Sequence, residues 1–68
     1  MIEKICDTYG TVVGAYDGDS SRGKIYDANG NYLGEYWGGE IFNKNGMRVD
    51  NYNGFPEDAL RSLILHSL

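Results

Sequence analysis

Between residues 5 and 54 the apolar and polar positions follow one pattern, which occurs three times. The segments 5–18, 25–38 and 41–54 align without gaps. Four columns are identical in all three segments: Ile5, Ile25 and Ile41; Gly10, Gly30 and Gly46; Tyr16, Tyr36 and Tyr52; and Gly18, Gly38 and Gly54. A further column is always aliphatic: Val13, Leu33 and Val49. Self-similarity of this kind indicates one small structural unit used three times, whose copies must stack to build a core.

Each unit is predicted to be a β-hairpin. An Asp or Asn stands three residues before the first shared glycine, at Asp7, Asp27 and Asn43. Such a side chain accepts hydrogen bonds from the backbone ahead of it, and the glycine adopts positive φ, which closes a type I turn. The flanking residues are mostly β-branched or aromatic, as is typical of strands. We therefore expect about six short antiparallel strands in one meander, with the isoleucine and aliphatic columns as core.

Three smaller features of the repeat predict how the units pack. Gly14 and Gly34 stand two residues before their tyrosines, on the same strand face, so they are expected to leave room for the rings. The tyrosine column itself is expected to be half-buried. Asp50 replaces the glycine in the third unit, which predicts that this unit packs differently.

The segment 56–68 changes from a period of two to a helical period. Pro56 suits the first helical position, and Glu57 and Asp58 complement the positive end of a helix. Apolar residues with helical spacing follow at Leu60, Leu63, Ile64 and Leu68. The sequence therefore predicts one mainly β domain over residues 1–68, with hairpin repeats at 5–54 and a helix at 56–68. Such a short helix must dock. The helix either caps the sheet or meets another chain, and the two arrangements are compatible. In the second arrangement Leu60, Leu63, Ile64 and Leu68 form the interface.

Charge and hydropathy exclude several kinds of partner. The net charge is −4, and Lys and Arg are scattered, whereas a nucleic-acid surface has a basic patch. The same distribution is unsuited to an anionic membrane. No stretch approaches the roughly eighteen apolar residues of a membrane span, and the N-terminus lacks the apolar run of a signal peptide. We expect a cytoplasmic protein.

A chain of 68 residues has a small core and usually needs a further stabilising device. Cys6 is the only cysteine, which excludes an intrachain disulfide and suits a reducing compartment. Cys6 and His66 have no recognisable metal-ligand spacing, and no third group would orient them as nucleophile and base. Self-association is the source of additional stability that remains, and we therefore expect a homo-oligomer.

Two partial motifs fall in the insertion between the first two units. Residues 18–24 match the first seven positions of a phosphate-binding P-loop, but Ile25 stands where Ser or Thr would bind magnesium. The spacing of Asp17, Asp19 and Ser21 also resembles the opening of a calcium loop, but Arg22 and Ala28 replace the required Gly and Glu. We expect a polar loop here, and no catalytic activity, metal or cofactor in the chain.

Aromatic residues make up 13% of the chain and are the main candidates for binding. Tyr32 and Trp37, near the turns of the central unit, are expected to be exposed, and together with Tyr36 they are the predicted binding residues. Such side chains give a protein interface large contact area for little lost entropy. We therefore expect a non-catalytic interaction module that binds another protein, such as a bacterial or phage accessory or inhibitor protein. The alternative is a sugar- or nucleotide-binding protein with its site between hairpins or at a subunit interface.

The segment 25–46 begins Ile-Tyr-Asp-Ala-Asn-Gly-Asn-Tyr-Leu-Gly and resembles the 4-fold beta flower family. These small bacterial proteins consist of repeated units of the kind Ile-Tyr-x-x-Asn-Gly-x-x-Leu-Gly, and the resemblance covers residues 5–54. It implies a fold of repeated hairpins and brings no established activity. The family implies four units where this chain has three, so either the helix or assembly would fill the fourth place.

Overall fold

The computed structural model describes residues 2–66, which form one six-stranded sheet and one helix. The strands are β1 (Ile2–Cys6), β2 (Val12–Gly18), β3 (Gly23–Asp27), β4 (Tyr32–Trp37), β5 (Glu40–Asn43) and β6 (Arg48–Asn51). Each strand pairs antiparallel with the next, so the order in the sheet is the order in the sequence. Helix α1 (Pro56–Leu65) follows. The predicted antiparallel meander with a C-terminal helix is confirmed.

The turn inside each repeat has the hydrogen bonds that the Asx–Gly spacing predicts. In the central unit, Asp27 Oδ1 accepts bonds from the amides of Asn29 at 2.9 Å and Asn31 at 2.8 Å. The glycine that follows adopts a φ of +86°, a conformation that costs glycine little. The same two bonds recur at Asp7 and Asn43. Three identical local turns therefore set the three hairpins.

Every repeat also contains a β-bulge at its aliphatic column. In the central unit, consecutive residues of β3 pair with Gly34 and Tyr32, which leaves Leu33 as the extra residue. The equivalent shift leaves Val13 extra in the first unit and Val49 in the third. A bulge re-aims a side chain and bends the strand. As a result all three aliphatic residues pack against the core.

The hydrophobic core lies between one face of the sheet and α1. Its buried residues are Ile5, Ile25, Tyr36, Ile41, Ala59, Leu60 and Leu63. The isoleucine column is thus the centre of the core, as predicted. Tyr36 is fully buried, whereas the sequence predicted a half-buried ring. The ring fits because its cross-strand neighbour Gly23 has no Cβ, which would lie 2.6 Å from the Tyr36 hydroxyl.

The helix contacts the same column in all three repeats, and this corrects the role expected for two glycines. A Cβ at Gly14 would lie 2.6 Å from Leu60 Cδ2, and a Cβ at Gly34 would lie 2.9 Å from Leu63 Cδ2. These glycines therefore leave room for the leucines of the helix and not for the tyrosine rings. In the third unit the residue at this column is Asp50, which accepts a hydrogen bond from the helix instead.

Helix α1 caps the sheet, and it ends earlier than predicted. His66 terminates it, with its amide bonded to the carbonyl of Ser62 at 3.0 Å, and Leu68 lies outside the described residues. Leu60 and Leu63 are each only 3% exposed. These two leucines, expected at an interface between chains, are instead covered by the sheet of their own chain, while Ile64 remains 42% exposed. Among the described residues, no helix is both long and apolar enough to cross a bilayer.

Candidate functional site

The sheet has a second face, turned away from α1, on which the largest exposed aromatic surface of the strands lies. Residues that pair directly across antiparallel strands have their side chains on the same face, so the strand register assigns its members. We call this surface the outer face. Its residues are Ile2, Lys4, Cys6, Val12, Ala15, Asp17, Lys24, Tyr26, Tyr32, Glu35, Trp37, Glu40, Phe42, Arg48 and Asn51. It spans all six strands.

Four aromatic rings of the outer face form two contacting pairs. The ring centroids of Tyr26 and Tyr32 are 5.9 Å apart, and those of Trp37 and Phe42 are 5.4 Å apart with near-parallel planes. Trp37 is 55% exposed and Tyr32 is 37% exposed, so the prediction that both are exposed is confirmed. Rings in such pairs hold each other in place. They therefore offer contact area to a partner without losing much side-chain entropy.

The charged residues of the outer face balance. Three are acidic and three are basic: Asp17, Glu35, Glu40, Lys4, Lys24 and Arg48. In one row across the sheet, Lys24 pairs with Asp17 on one side and with Glu35 on the other. Arg48 Nε lies 2.6 Å from the Glu40 carboxylate. The outer face is therefore electrically neutral, with alternating signs, around its aromatic pairs.

Tyr36, the third predicted binding residue, lies on the opposite face and inside the core. Its hydroxyl donates a 2.6 Å hydrogen bond to the carbonyl oxygen of Asp19, and its ring stacks on Tyr52 with centroids 4.4 Å apart. The Tyr52 hydroxyl donates a 2.6 Å bond to the carbonyl of Ser20. Burial raises the pKa of both tyrosines. Tyr36 therefore holds the inserted loop in place and offers no surface to a partner.

The inserted loop is organised by one carboxylate. Asp19 Oδ1 accepts hydrogen bonds from the amide and hydroxyl of Ser21, at 2.8 Å and 2.7 Å, and from the amide of Arg22 at 3.0 Å. These bonds, led by the one from the Ser21 hydroxyl, lower the pKa of Asp19. Strand β3 follows the loop, where a P-loop would be followed by a helix. The loop has the structure of a self-bonded connection between strands.

A groove of about 900 Å³ separates this loop from the tight turn between β4 and β5. Arg22, Lys24 and Glu35 line it together with Trp37. Trp37 therefore borders both the groove and the outer face. Tyr32 lies at the other end of β4, five residues away, which is about 17 Å along a strand. The structure brings Trp37 together with the charged row but does not bring the three predicted binding residues together.

Sequence reasoning missed Tyr26 and Phe42 as members of the binding surface. Each immediately follows a core isoleucine, Ile25 and Ile41, and side chains alternate along a strand. That alternation is visible in the sequence, and it places both rings on the face opposite the core. The pairing of Phe42 with Trp37 comes from the register of β4 and β5, which the turn at Gly38 and Gly39 fixes. The positions could thus be inferred, whereas the ring contacts could not.

The remaining nucleophile and imidazole occupy ordinary structural places. Cys6 is exposed at the end of β1. His66 turns back on its own helix, with Nδ1 2.8 Å from the carbonyl oxygen of Ser62. Within residues 2–66, no three side chains of the His, Cys, Asp and Glu types lie close enough to hold a metal ion together.

Comparison with protein-family models, with curated proteins and with solved structures gives no significant match for this chain. The resemblance of residues 5–54 to the 4-fold beta flower family stays a prediction.

Proposed function

We propose that this protein is a small, non-catalytic module that binds another protein through its outer face. The observation that carries the proposal is the pair of aromatic contacts, Trp37 with Phe42 and Tyr26 with Tyr32, on a face that no other part of residues 2–66 covers. Sheets bury their apolar face against a second layer of structure, and α1 supplies that layer on one side only. A partner protein supplies it on the other.

The composition of the outer face supports a protein partner. Trp, Tyr and Arg are the residues enriched where binding energy concentrates, and a polar rim around an aromatic centre is the usual anatomy of such surfaces. Trp37 and Tyr32 provide exposed aromatic area, and the charged row provides the polar surround. We assign the protein to the cytoplasm on the strength of the single exposed Cys6, because an unpaired thiol persists best in a reducing compartment.

Partner capture with matched variants tests the proposal. The tagged chain, immobilised in an extract of its source cells, should retain a partner that Trp37→Ala loses by tenfold or more, in the range of about 1.4 kcal/mol or above for a central aromatic. Tyr9→Ala is the control, because Tyr9 is 92% exposed but lies in the first turn. Circular dichroism checks that both variants fold. Equal capture by the two variants would place the binding surface elsewhere.

A second function is favoured by the groove beside Trp37, whose volume is within the usual range for small-molecule sites. A sugar or nucleotide could stack on the indole while Arg22 and Glu35 supply hydrogen bonds. A ligand specific for the folded chain raises the melting temperature, so a thermal-shift screen of both classes tests this. A shift that Arg22→Ala abolishes would support the groove, and no shift with either class would exclude it in favour of the protein partner.

A further inference from the structure

We infer that the outer face binds the outer face of a second copy of this chain, so that two sheets pack face to face in a symmetric dimer. The inference rests on the proposed function, because it names the partner of the same surface. It is carried by three properties of that surface, namely its charge, the placement of its residues about a two-fold axis, and its size.

The distribution of charge favours contact between copies through this face. The chain has a net charge of −4, yet the outer face is neutral, so all of the excess negative charge lies elsewhere. Like charges repel, and juxtaposing them across an interface is unfavourable. Two copies that meet through another part of the surface bring acidic regions together. Contact through the outer face avoids this repulsion and leaves the acidic surface in water.

The central pair of the charged row, Lys24 and Glu35, is also self-complementary under two-fold symmetry. In a symmetric dimer the same patch must complement itself. Lys24 and Glu35 are direct cross-strand neighbours on β3 and β4. A two-fold axis parallel to the strands and midway between β3 and β4 places Lys24 of one copy over Glu35 of the other, twice. The same axis places Tyr26 of one copy over Tyr32 of the other, since these residues also pair directly.

The size of the face matches what a stable interface requires. The molecule measures 30 × 25 × 18 Å, and the outer face of the sheet forms one of its two broad sides. The area of a face with these dimensions is similar to the roughly 800 Å² that each partner buries in a standard interface. A chain of 68 residues has a small core of its own, and small domains commonly gain stability by oligomerising. A second sheet would cover the exposed aromatic pairs and add a second layer to the outer face.

Charge reversal across the axis tests the geometry. Sedimentation equilibrium of the wild-type chain should give a mass of twice 7.6 kDa at micromolar to millimolar concentrations. Lys24→Glu makes both facing pairs Glu over Glu, and Glu35→Lys makes both facing pairs Lys over Lys. Each variant alone should weaken the dimer by about tenfold or more. An equimolar mixture should recover the wild-type affinity as a heterodimer, because both pairs between positions 24 and 35 are then opposite in sign.

Lys44→Glu is the matched control for Lys24→Glu, since it changes the net charge equally but lies in the turn between β5 and β6. It should leave the dimer intact. Recovery on mixing cannot arise from misfolding, because two unfolded chains do not restore a native interface.

Three results separate this inference from the proposed function. A wild-type chain that stays monomeric at millimolar concentration would overturn the dimer, while capture of a partner that depends on Trp37 would still stand. A dimer that Lys24→Glu, Glu35→Lys and Trp37→Ala all leave unchanged would place the self-contact on another surface and overturn the inference. A dimer weakened by each single change but not recovered on mixing would overturn the proposed axis.

Discussion

The hydroxyl of Ser62 donates a 2.8 Å hydrogen bond to the carboxylate of Asp50, which joins the helix to the last strand. Asp50 occupies the column where the first two repeats have Gly14 and Gly34, and where leucines of the helix pack directly against the strand. Ser62 is nearly buried, at 8% exposed. The helix therefore packs closely against the first two repeats and makes a hydrogen bond to the third. Together these contacts fix the position of the helix on the sheet.

We expect Ser62→Ala to lower the melting temperature by several degrees at pH 7, because a carboxylate then faces the helix without its donor. The bond from Ser62 is the main reason that the pKa of Asp50 lies below its ordinary 3.8. A lowered pKa in the folded state gives stability that is present above pH 3.8 and is lost as the pH falls through the folded value. The difference in stability between the wild type and Ser62→Ala should therefore be largest at neutral pH.

Thermal melts from pH 2 to pH 7 provide the measurement. The difference in melting temperature between the wild type and Ser62→Ala should become smaller as the pH falls below about 4, where Asp50 takes up its proton. The double variant Ser62→Ala, Asp50→Gly serves as a control, since it restores the glycine of the other repeats and removes the unpaired carboxylate. A gap that stays constant across the whole range would show that the bond does not form in solution.

Gly34→Ala should destabilise the protein by about 1–3 kcal/mol or more, the usual penalty for overpacking. The added Cβ would come within 2.2 Å of the Phe42 carbonyl oxygen and 2.9 Å of Leu63, and the backbone oxygen cannot move without breaking the pairing of β4 with β5. Gly38→Ala is the control, with a φ of +60° and open space around it, so about 1–2 kcal/mol of conformational strain is expected. Urea titration followed by circular dichroism ranks the two, and a larger loss for Gly38→Ala would contradict the packing at Gly34.

Local patterns made the hairpins predictable from the sequence. The turns depend on contacts within five residues, as in the two bonds that Asp27 accepts, and such contacts can be read from spacing. The buried isoleucine column followed in the same way from the alternation of side chains along a strand. The exposure of Tyr32 and Trp37 was predicted because both flank turns.

Contacts between distant segments were not predictable in the same way. The burial of Tyr36 depends on Gly23 across the sheet and on the carbonyl of Asp19, 17 residues away. Gly14 makes room for Leu60, and this depends on the position of Leu60 in the docked helix. Each of these requires the register of strands and the path of the helix, which the bulges shift by one residue in every repeat. The candidate site was therefore only partly predicted, since Tyr36 proved to belong to the core.

Tyr36→Phe should lower stability at pH 7 and also reduce the loss of stability at alkaline pH. Burial raises the pKa of the Tyr36 hydroxyl above its ordinary 10.0, so the unfolded chain releases this proton at a lower pH than the folded chain does. The stabilisation is therefore complete below pH 10 and declines as the pH rises further. Phenylalanine has no proton to release and loses the bond to the carbonyl of Asp19.

Urea unfolding at pH 7 and at pH 10.5 measures both effects. The variant should be less stable at pH 7 by about 0.5–1.5 kcal/mol, the net value of a typical hydrogen bond, and its decline toward pH 10.5 should be shallower. Some decline should remain, because burial also raises the pKa of Tyr52. Tyr9→Phe, at a fully exposed ring, should match the wild type at both pH values. An equally steep decline in Tyr36→Phe would show that the hydroxyl is not buried.

Leu63→Ala and Ile64→Ala should differ sharply, although the two residues are adjacent in the helix. Leu63 is 3% exposed and packs over Gly34, whereas Ile64 is 42% exposed. Truncating a buried leucine costs about 2–5 kcal/mol, a large part of the total stability of a small domain. Truncating the isoleucine should cost about 1 kcal/mol or less, since surface changes are usually small. Both changes leave alanine, so denaturant unfolding at low temperature compares their burial directly. Equal losses would mean that α1 does not dock through the face that carries Leu63.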